Sequence, residues 1–377
     1  MKYRDMCGCS VSVLGLGCMR LPVEQSGKID EERFTDMVKH AYESGVNYYD
    51  TAYMYHDGES EIMLGKVLGK LGIREKVYVA DKLPPWNILK AEDTEKIFEE
   101  QLKKVGTDYF DFYLLHSMTK NLWDNTIKKL GALDKLIEYK KQGKIKHLGF
   151  SFHDDLEAFY DIINEGKGIF EFCQIQLNYA DAASEFQAGI KGLEFAAEQG
   201  LKVIIMEPIK GGQLASLSEH VGELLPKDKT PVECALSYLW DRPEVTVVLS
   251  GMGSMEQLKE NIGYAKNAEA GMLTDEERKA IISAGHAFNA GARVQCTGCS
   301  YCMPCPMGVD IPDNFSIWNK LGMFGQKDAI KAQWTTCFPD SEKALHCVRC
   351  GKCEAVCPQK LPIRDSLAQL QKELDAL

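Results

Sequence analysis

Five times in its first two hundred residues this chain repeats one device: a segment of helical period ends in glycine, and a short β-rich run follows. YESG precedes VNYYD, GKLG precedes VYVADK after IREK, KKVG precedes TDYFDFYLLH, KKQG precedes KIKHLGFS, and AEQG precedes LKVIIMEP. Gly45, Gly72, Gly106, Gly143 and Gly200 suit the left-handed turn that ends a helix, a conformation other residues adopt only at a cost. NEGKG before IFEFCQIQ and Pro243 before EVTVVLS add two junctions, and the early run VSVLGLG brings the count to eight strands with helices between them. The strands are near-continuous apolar runs, the pattern of a parallel sheet buried on both faces. The fold class predicted is therefore α/β, a closed (β/α)8 TIM barrel. An open doubly wound sheet is the alternative; no G-x-G-x-x-G follows an early strand, which counts against its dinucleotide site.

After Arg293 the character of the sequence changes. Eight of the fourteen cysteines lie between 296 and 357, and Pro304, Pro306, Pro312, Pro339, Pro358 and Pro362 interrupt the same stretch. Residues 274–290 have an amphipathic helical pattern. A boundary near 290 is expected, with a barrel over 1–290 and a small, mainly helical iron–sulfur domain over 291–377.

The net charge, 44 − 55 = −11, argues against nucleic acid or an anionic membrane as a partner. The start MKYRDMCGCS carries no apolar signal core. No apolar run approaches the ~20 residues of a membrane span. A cytoplasmic protein is expected, and in that compartment cysteines serve metal or redox chemistry rather than disulfides.

Chemistry in an α/β barrel gathers at the C-terminal ends of the strands. Those ends supply Asp50 from VNYYD, Lys82 from VYVADK and His116 from FYLLH, and the loop TAYMY brings Tyr55 to the same rim. Each residue alone has a structural reading; Asp50, for instance, suits a helix cap. Together they form a proton-donating set. Tyrosine is a poor acid near pH 7, and a lysine ammonium beside it favours the phenolate and lowers its pKa. A carboxylate keeps that lysine charged and oriented, and a histidine directs a substrate oxygen. Such a set donates a proton to a carbonyl oxygen while a hydride reaches the carbon.

From YRDMCGCSVSVLGLGCMRLP through DTAYMYHDGESEIMLGK, VYVADK, FDFYLLH and LGFSFHD to VLSGMGSMEQLKENI, about residues 2–265, the sequence resembles the aldo/keto reductase family. The resemblance implies Tyr55 as general acid, Lys82 and Asp50 as its tuning pair and His116 as the group that orients a small-molecule carbonyl substrate. It also implies NAD or NADP bound without a Rossmann motif. Ser151 and Gln176 match positions that hydrogen-bond the nicotinamide carboxamide, and Met206 falls where many members stack an aromatic ring. Ser250, Gly251 and Ser254 fall at the pyrophosphate, and Glu260 and Asn261 at the adenine. Gln257 replaces an arginine that often grips the 2′-phosphate of NADP, and a neutral side chain gives no charge-assisted pair there. Lys210 or Lys259 would have to supply the cation.

The cysteines of the tail form two runs. Cys296, Cys299, Cys302 and Cys305 are spaced C-x2-C-x2-C-x2-C-P, and Cys347, Cys350, Cys353 and Cys357 are spaced C-x2-C-x2-C-x3-C-P. The second is the full bacterial ferredoxin run; the first is one residue short, which leaves the role of Cys305 open. Two 4Fe–4S clusters are expected, with the Cys-Pro of each run serving the other cluster: Cys296, Cys299, Cys302 and Cys357 on one, Cys347, Cys350, Cys353 and Cys305 on the second. The roughly forty intervening residues resemble the α-helical ferredoxin modules of multi-subunit electron-transfer enzymes. Structural zinc competes for C-x2-C pairs, but four-coordinate zinc has no use for a third evenly spaced cysteine and a Cys-Pro. In so small a tail, ligation is expected to supply much of the folding free energy. Cys7, Cys9, Cys18, Cys173, Cys234 and Cys337 read as buried or incidental, with Cys18 close enough to the barrel mouth to touch cofactor.

Hydride moves two electrons and a cluster moves one, and no flavin motif is present to divide the pair. The clusters therefore serve a redox protein partner, respond to oxidation or hold the tail folded. The chain reads first as an NAD(P)H-dependent carbonyl reductase, with an electron-transfer or redox-sensing protein built on a nicotinamide-binding barrel as the alternative.

Overall fold

Gly45, Gly72, Gly106, Gly143 and Gly200 all have positive φ, from 64° to 92°, in the computed structural model, which describes residues 1–183, 187–324 and 326–377. At Gly72 and Gly106 the turn closes in the same way. The Ile73 N–H reaches the Leu68 carbonyl and the Thr107 N–H reaches the Leu102 carbonyl, each at 3.1 Å, so carbonyls left over at the helix end are satisfied. Helices α1 (Glu31–Glu43) and α3 (Ala91–Val105) lead directly into the strands that follow them, and α2 (Glu59–Leu71) does so through the short turn Arg74–Lys76.

An antiparallel hairpin, β1 (Tyr3–Met6) and β2 (Cys9–Ser12), comes first. Eight parallel strands follow: β3 (Leu14–Gly17), β4 (Tyr48–Asp50), β5 (Tyr78–Leu83), β6 (Phe110–Met118), β7 (Ile145–Phe152), β8 (Phe172–Gln176), β9 (Lys202–Met206) and β10 (Val245–Ser250). Each pairs with the next, and β10 pairs with β3 as well as β9, so the sheet closes and has no edge. The open-sheet alternative is excluded. The hairpin was not expected: VSVLGLG reads as one strand, whereas its first residues belong to β2. Met6 and Val11 of the hairpin pack with Tyr48, Phe112, Phe172 and Val247 in one buried cluster.

Two units divide the chain: Met1–Asn178, Ala182–Pro208 and Ala235–Thr274 make one, and Tyr179–Asp181, Ile209–Cys234 and Asp275–Leu377 the other. The second unit has its own apolar core, with Phe315, Trp318 and Leu321 of the helix Ile311–Phe324 packed among Leu367, Leu370 and Leu374 of the helix Ile363–Asp375. Buried asparagines tie the cysteine-bearing loops to this core. The Asn319 Oδ1 accepts from the backbone N–H of Arg293 and of Val294, both at 2.9 Å, and the Asn314 Oδ1 accepts from Ala344 N–H at 3.0 Å. The tail thus has packing of its own beside whatever ligation adds. Among the described residues, no helix is long and apolar enough to cross a membrane.

Candidate active site

Asp50 ends β4, Lys82 is next to last in β5 and His116 is third from last in β6; their exposures are 2%, 0% and 3%. The Lys82 ammonium donates to Asp50 Oδ1 at 2.5 Å, to the Thr51 carbonyl at 2.7 Å and to the Tyr55 hydroxyl at 3.4 Å. Asp50 therefore serves the lysine. Tyr55 opens the turn Tyr55–Gly58, and its ring meets His116 edge-on with centroids 6.0 Å apart. The Trp86 ring lies tilted against the same imidazole, with centroids 5.2 Å apart.

His116 owes its direction to an irregularity in β6. The β6–β7 register shifts between Leu115 and Met118, Ser117 has φ 52°, and its N–H donates to Ser151 Oγ at 2.7 Å. Such a break re-aims a side chain that regular pleating would send elsewhere.

The electrostatics correct one expectation. Tyr55 is held well above the usual phenol range, by burial first and by the Asp50 carboxylate next, and these outweigh the lowering expected from the lysine. The phenol keeps its proton. Burial, then the Lys82 charge, then His153 hold His116 well below its ordinary value, so its imidazole is neutral. Burial raises Asp50, against the pull of Lys82.

Behind Lys82 lies a polar layer that the sequence did not reveal. Gln101 Nε2 donates to Glu61 Oε1 at 2.8 Å and to the Lys82 carbonyl at 3.0 Å, and Lys104 pairs with Glu61 at 3.0 Å. The available signal was a polar or acidic residue on the apolar face of α2 and of α3.

The remaining candidates continue around the same rim. Ser151 lies in β7, Gln176 ends β8, Met206 ends β9 opposite Gln176, and Ser250 ends β10. Asn261 Nδ2 donates to Ser250 Oγ at 3.0 Å. Ser254 caps the helix Met255–Ala265 by accepting from Gln257 N–H at 3.3 Å, and Gln257 Oε1 turns back to accept from Gly253 N–H at 2.9 Å. Glu260 and Lys259 are exposed on that helix. Lys210 is fully buried and paired with Asp181, so its charge is already committed and it is no phosphate partner. Cys18 is fully buried, with its sulfur toward the Leu16 carbonyl at 4.0 Å. Arg20 was missed: a Cβ built on Gly251 would lie 3.5 to 3.7 Å from Arg20 Cβ, Cγ and Cδ, so the arginine stem runs beside the Ser250–Ser254 loop. Polar side chains at the strand ends, Ser151, Gln176 and Ser250, and a capped helix start fit a dinucleotide with an anionic middle.

In the second unit the cysteines line two hollows. Cys296, Cys299, Cys302 and Cys357 surround one, with Phe315 and Ile363. Cys302, Cys305, Cys347, Cys350 and Cys353 surround the other. The Gly298 N–H donates to Cys296 Sγ at 3.4 Å, and burial raises the Cys357 thiol while the backbone N–H groups of Leu361 and Gln359 act in the opposite sense, toward the thiolate. N–H groups aimed at sulfur favour a ligating thiolate, so these residues fit iron–sulfur clusters.

The aldo/keto reductase family model matches residues 13–284, and a 4Fe-4S dicluster domain model matches residues 295–361. The chain belongs to the aldo/keto reductase family and carries a C-terminal 4Fe–4S dicluster domain; it is an oxidoreductase by family. A probable aldo-keto reductase from Glycine max is 26% identical over 315 residues, 74% of this chain and 86% of that protein. The uncharacterized oxidoreductase YqkF of Bacillus subtilis is 27% identical over 310 residues, 72% of this chain and 92% of its own. Among solved structures, the holo form of an aldo-keto reductase from Bacillus halodurans superposes with a TM-score of 0.63 at 26% identity, covering 75% of this chain and 96% of that one.

Proposed function

We propose that this chain is an NAD(P)H-dependent carbonyl reductase whose proton donor is Tyr55. The observation that carries the reading is the Lys82 ammonium between Asp50 Oδ1, at 2.5 Å, and the Tyr55 hydroxyl, at 3.4 Å, with a neutral His116 beside the phenol. A bound reduced nicotinamide supplies hydride to the carbonyl carbon. Tyr55 gives its phenolic proton to the carbonyl oxygen, so a carbonyl, a hydride and a proton yield an alcohol. Lys82 stabilises the phenolate left behind, and Asp50 keeps Lys82 charged and in place. His116, neutral, donates a hydrogen bond that fixes the oxygen. Ser151, Gln176 and Met206 hold the nicotinamide end. Ser250, Gly251, Ser254, Gln257, Glu260 and Asn261 hold the phosphates and adenosine of NAD or NADP.

The tail carries two 4Fe–4S clusters, one on Cys296, Cys299, Cys302 and Cys357, the other on Cys305, Cys347, Cys350 and Cys353. Function divides accordingly between a barrel over 1–290 and a cluster domain over 291–377. Eight ligating thiolates call for a reducing compartment, hence the cytoplasm. The dicluster match also favours a second reading, an electron-transfer or redox-sensing protein with a redox partner. Anaerobic protein oxidising NAD(P)H against a panel of aldehydes and ketones separates the two. In that assay Tyr55→Phe is expected to lower turnover by roughly 10²–10⁴-fold with cofactor affinity little changed. Near-normal turnover by this variant removes Tyr55 from the role.

A further inference from the structure

At the opposite end of the barrel, where the strands begin, two cysteines meet a histidine. Met6 pairs with Cys9 across the hairpin, so Cys7 and Gly8 form its two-residue turn, with φ 56° and 85°. Both central residues of such a turn are left-handed, and Asn-Gly or Asp-Gly normally fill it. A cysteine there adopts a backbone that disfavours it, which marks its side chain as the reason for its presence. His147, near the start of β7, stacks on Phe112 with centroids 5.1 Å apart. Cys9 Sγ lies 3.6 Å from His147 Nε2. Cys7, His147 and Glu171 each offer a ligand atom within 4.8 Å of the others'.

Glu171 settles the imidazole. Its Oε2 is 2.9 Å from His147 Nδ1, while its Oε1 takes Lys140 Nζ at 2.5 Å and the Leu148 N–H at 3.2 Å. In the neutral tautomer that donates from Nδ1 to this carboxylate, the Nε2 lone pair faces Cys9. A carboxylate on one nitrogen and an ion on the other is the usual support for a metal-binding histidine. Zinc bonds of about 2.3 Å to sulfur and about 2.0 Å to nitrogen place tetrahedral S and N donors about 3.5 Å apart. Cys9 and His147 already have that spacing; the Cys7 thiol, which now points to the Glu171 carbonyl at 3.7 Å, would have to leave that oxygen to become the third donor. All three side chains are partly exposed, which gives an ion access.

We propose that Cys7, Cys9 and His147 bind one Zn²⁺ ion, with Glu171 orienting the histidine and water completing the shell. Two thiolates and an imidazole select zinc over the oxygen-loving cations. The site joins the hairpin turn to β7, pinning the plug that closes this end of the barrel.

The test uses the full chain, purified anaerobically with its iron in place, and Zn²⁺ alone as the probe. Competition against a chromogenic chelator is expected to find one tight equivalent, and zinc-edge X-ray absorption two sulfurs and one nitrogen. Glu171→Gln is expected to weaken binding by about 10–100-fold. Cys9→Ser should weaken it further, with iron and sulfide content unchanged. Cys7→Asn places a residue suited to the turn, so it should keep the fold and lose the ion. Zinc uptake that is absent in the unmodified chain, or that survives in Cys7→Asn and Cys9→Ser alike, overturns the proposal.

Discussion

Lys82 has no contact with solvent, yet each of its three ammonium donors has an oxygen: Asp50 Oδ1, the Thr51 carbonyl and the Tyr55 hydroxyl. That full set offsets the cost of burying a charge. The same charge acts on His116 in the opposite sense, since a cation nearby and the loss of water both disfavour imidazolium. The neutral form is the one the proposed chemistry uses, and its depressed pKa keeps it in place well below pH 6.5. The kcat/KM for carbonyl reduction should therefore show no acid limb near pH 6.5. A break there that disappears in His116→Gln would mean the imidazole titrates normally. Stability runs the same way: below about pH 6.5 the unfolded histidine takes a proton that the folded one refuses, so this residue makes folding less favourable as pH falls.

Helix α2 sets the position of this machinery from outside the sheet. Its first turn places Ser60, which bonds Thr51 Oγ1 at 2.9 Å and the Cys18 carbonyl at 3.0 Å, and Glu61, which supports Gln101 behind Lys82. The approach to α3 depends on Gly65, where an added Cβ would overlap the Val105 carbonyl and lie 2.7 Å from Val105 Cα. Gly65→Ala is expected to destabilise the barrel by about 1–3 kcal/mol through overpacking. Gly69, one turn on, has nothing within 4 Å of such a Cβ, so Gly69→Ala should stabilise by up to about 1 kcal/mol through helix propensity. Denaturant midpoints of the two variants, moving in opposite directions, are the check. Gly65 and Gly72 are indistinguishable by residue type. The cap glycine was legible because a strand follows it, whereas the packing glycine depends on a helix nearly forty residues away. The eight strands were legible for the same reason, as buried apolar runs after helix ends. The hairpin was not, because its turn uses Cys7 where a turn-forming asparagine would have announced it. At the site, the strand ends gave Asp50, Lys82 and His116. Gln101 left only the faint signal of a polar residue on the apolar face of α3, and Arg20 was hidden, since its approach to Gly251 is three-dimensional and no local pattern carries it.

Across the second unit, the two cysteine runs are interleaved. Cys357, last of the second run, lines the hollow of Cys296, Cys299 and Cys302; Cys305, last of the first, lines the hollow of Cys347, Cys350 and Cys353. Cys302 borders both hollows, so the lining alone leaves it to its own run by spacing. If ligands are exchanged in this way, the clusters staple residues 296–305 to residues 347–357, and neither run is a complete site. Cys357→Ser should then damage the cluster held mainly by the first run, while Cys305→Ser damages the one held by the second. Each variant should lose about half of its iron and sulfide, with a different cluster signal remaining in the electron paramagnetic resonance spectrum of the reduced protein. The tail should loosen without unfolding outright, because Trp318 and Trp334 keep their bonds to Glu373 at 2.7 Å and Asp375 at 3.2 Å, and the aromatic and leucine members of the core that Cys357 joins, Phe315, Trp318, Leu367 and Leu370 among them, remain in place. The barrel, whose core is separate, should keep its unfolding midpoint. If Cys357→Ser retains the first-run signal, each run closes on itself, and Cys305 becomes the fourth ligand of its own cluster despite the missing residue before it.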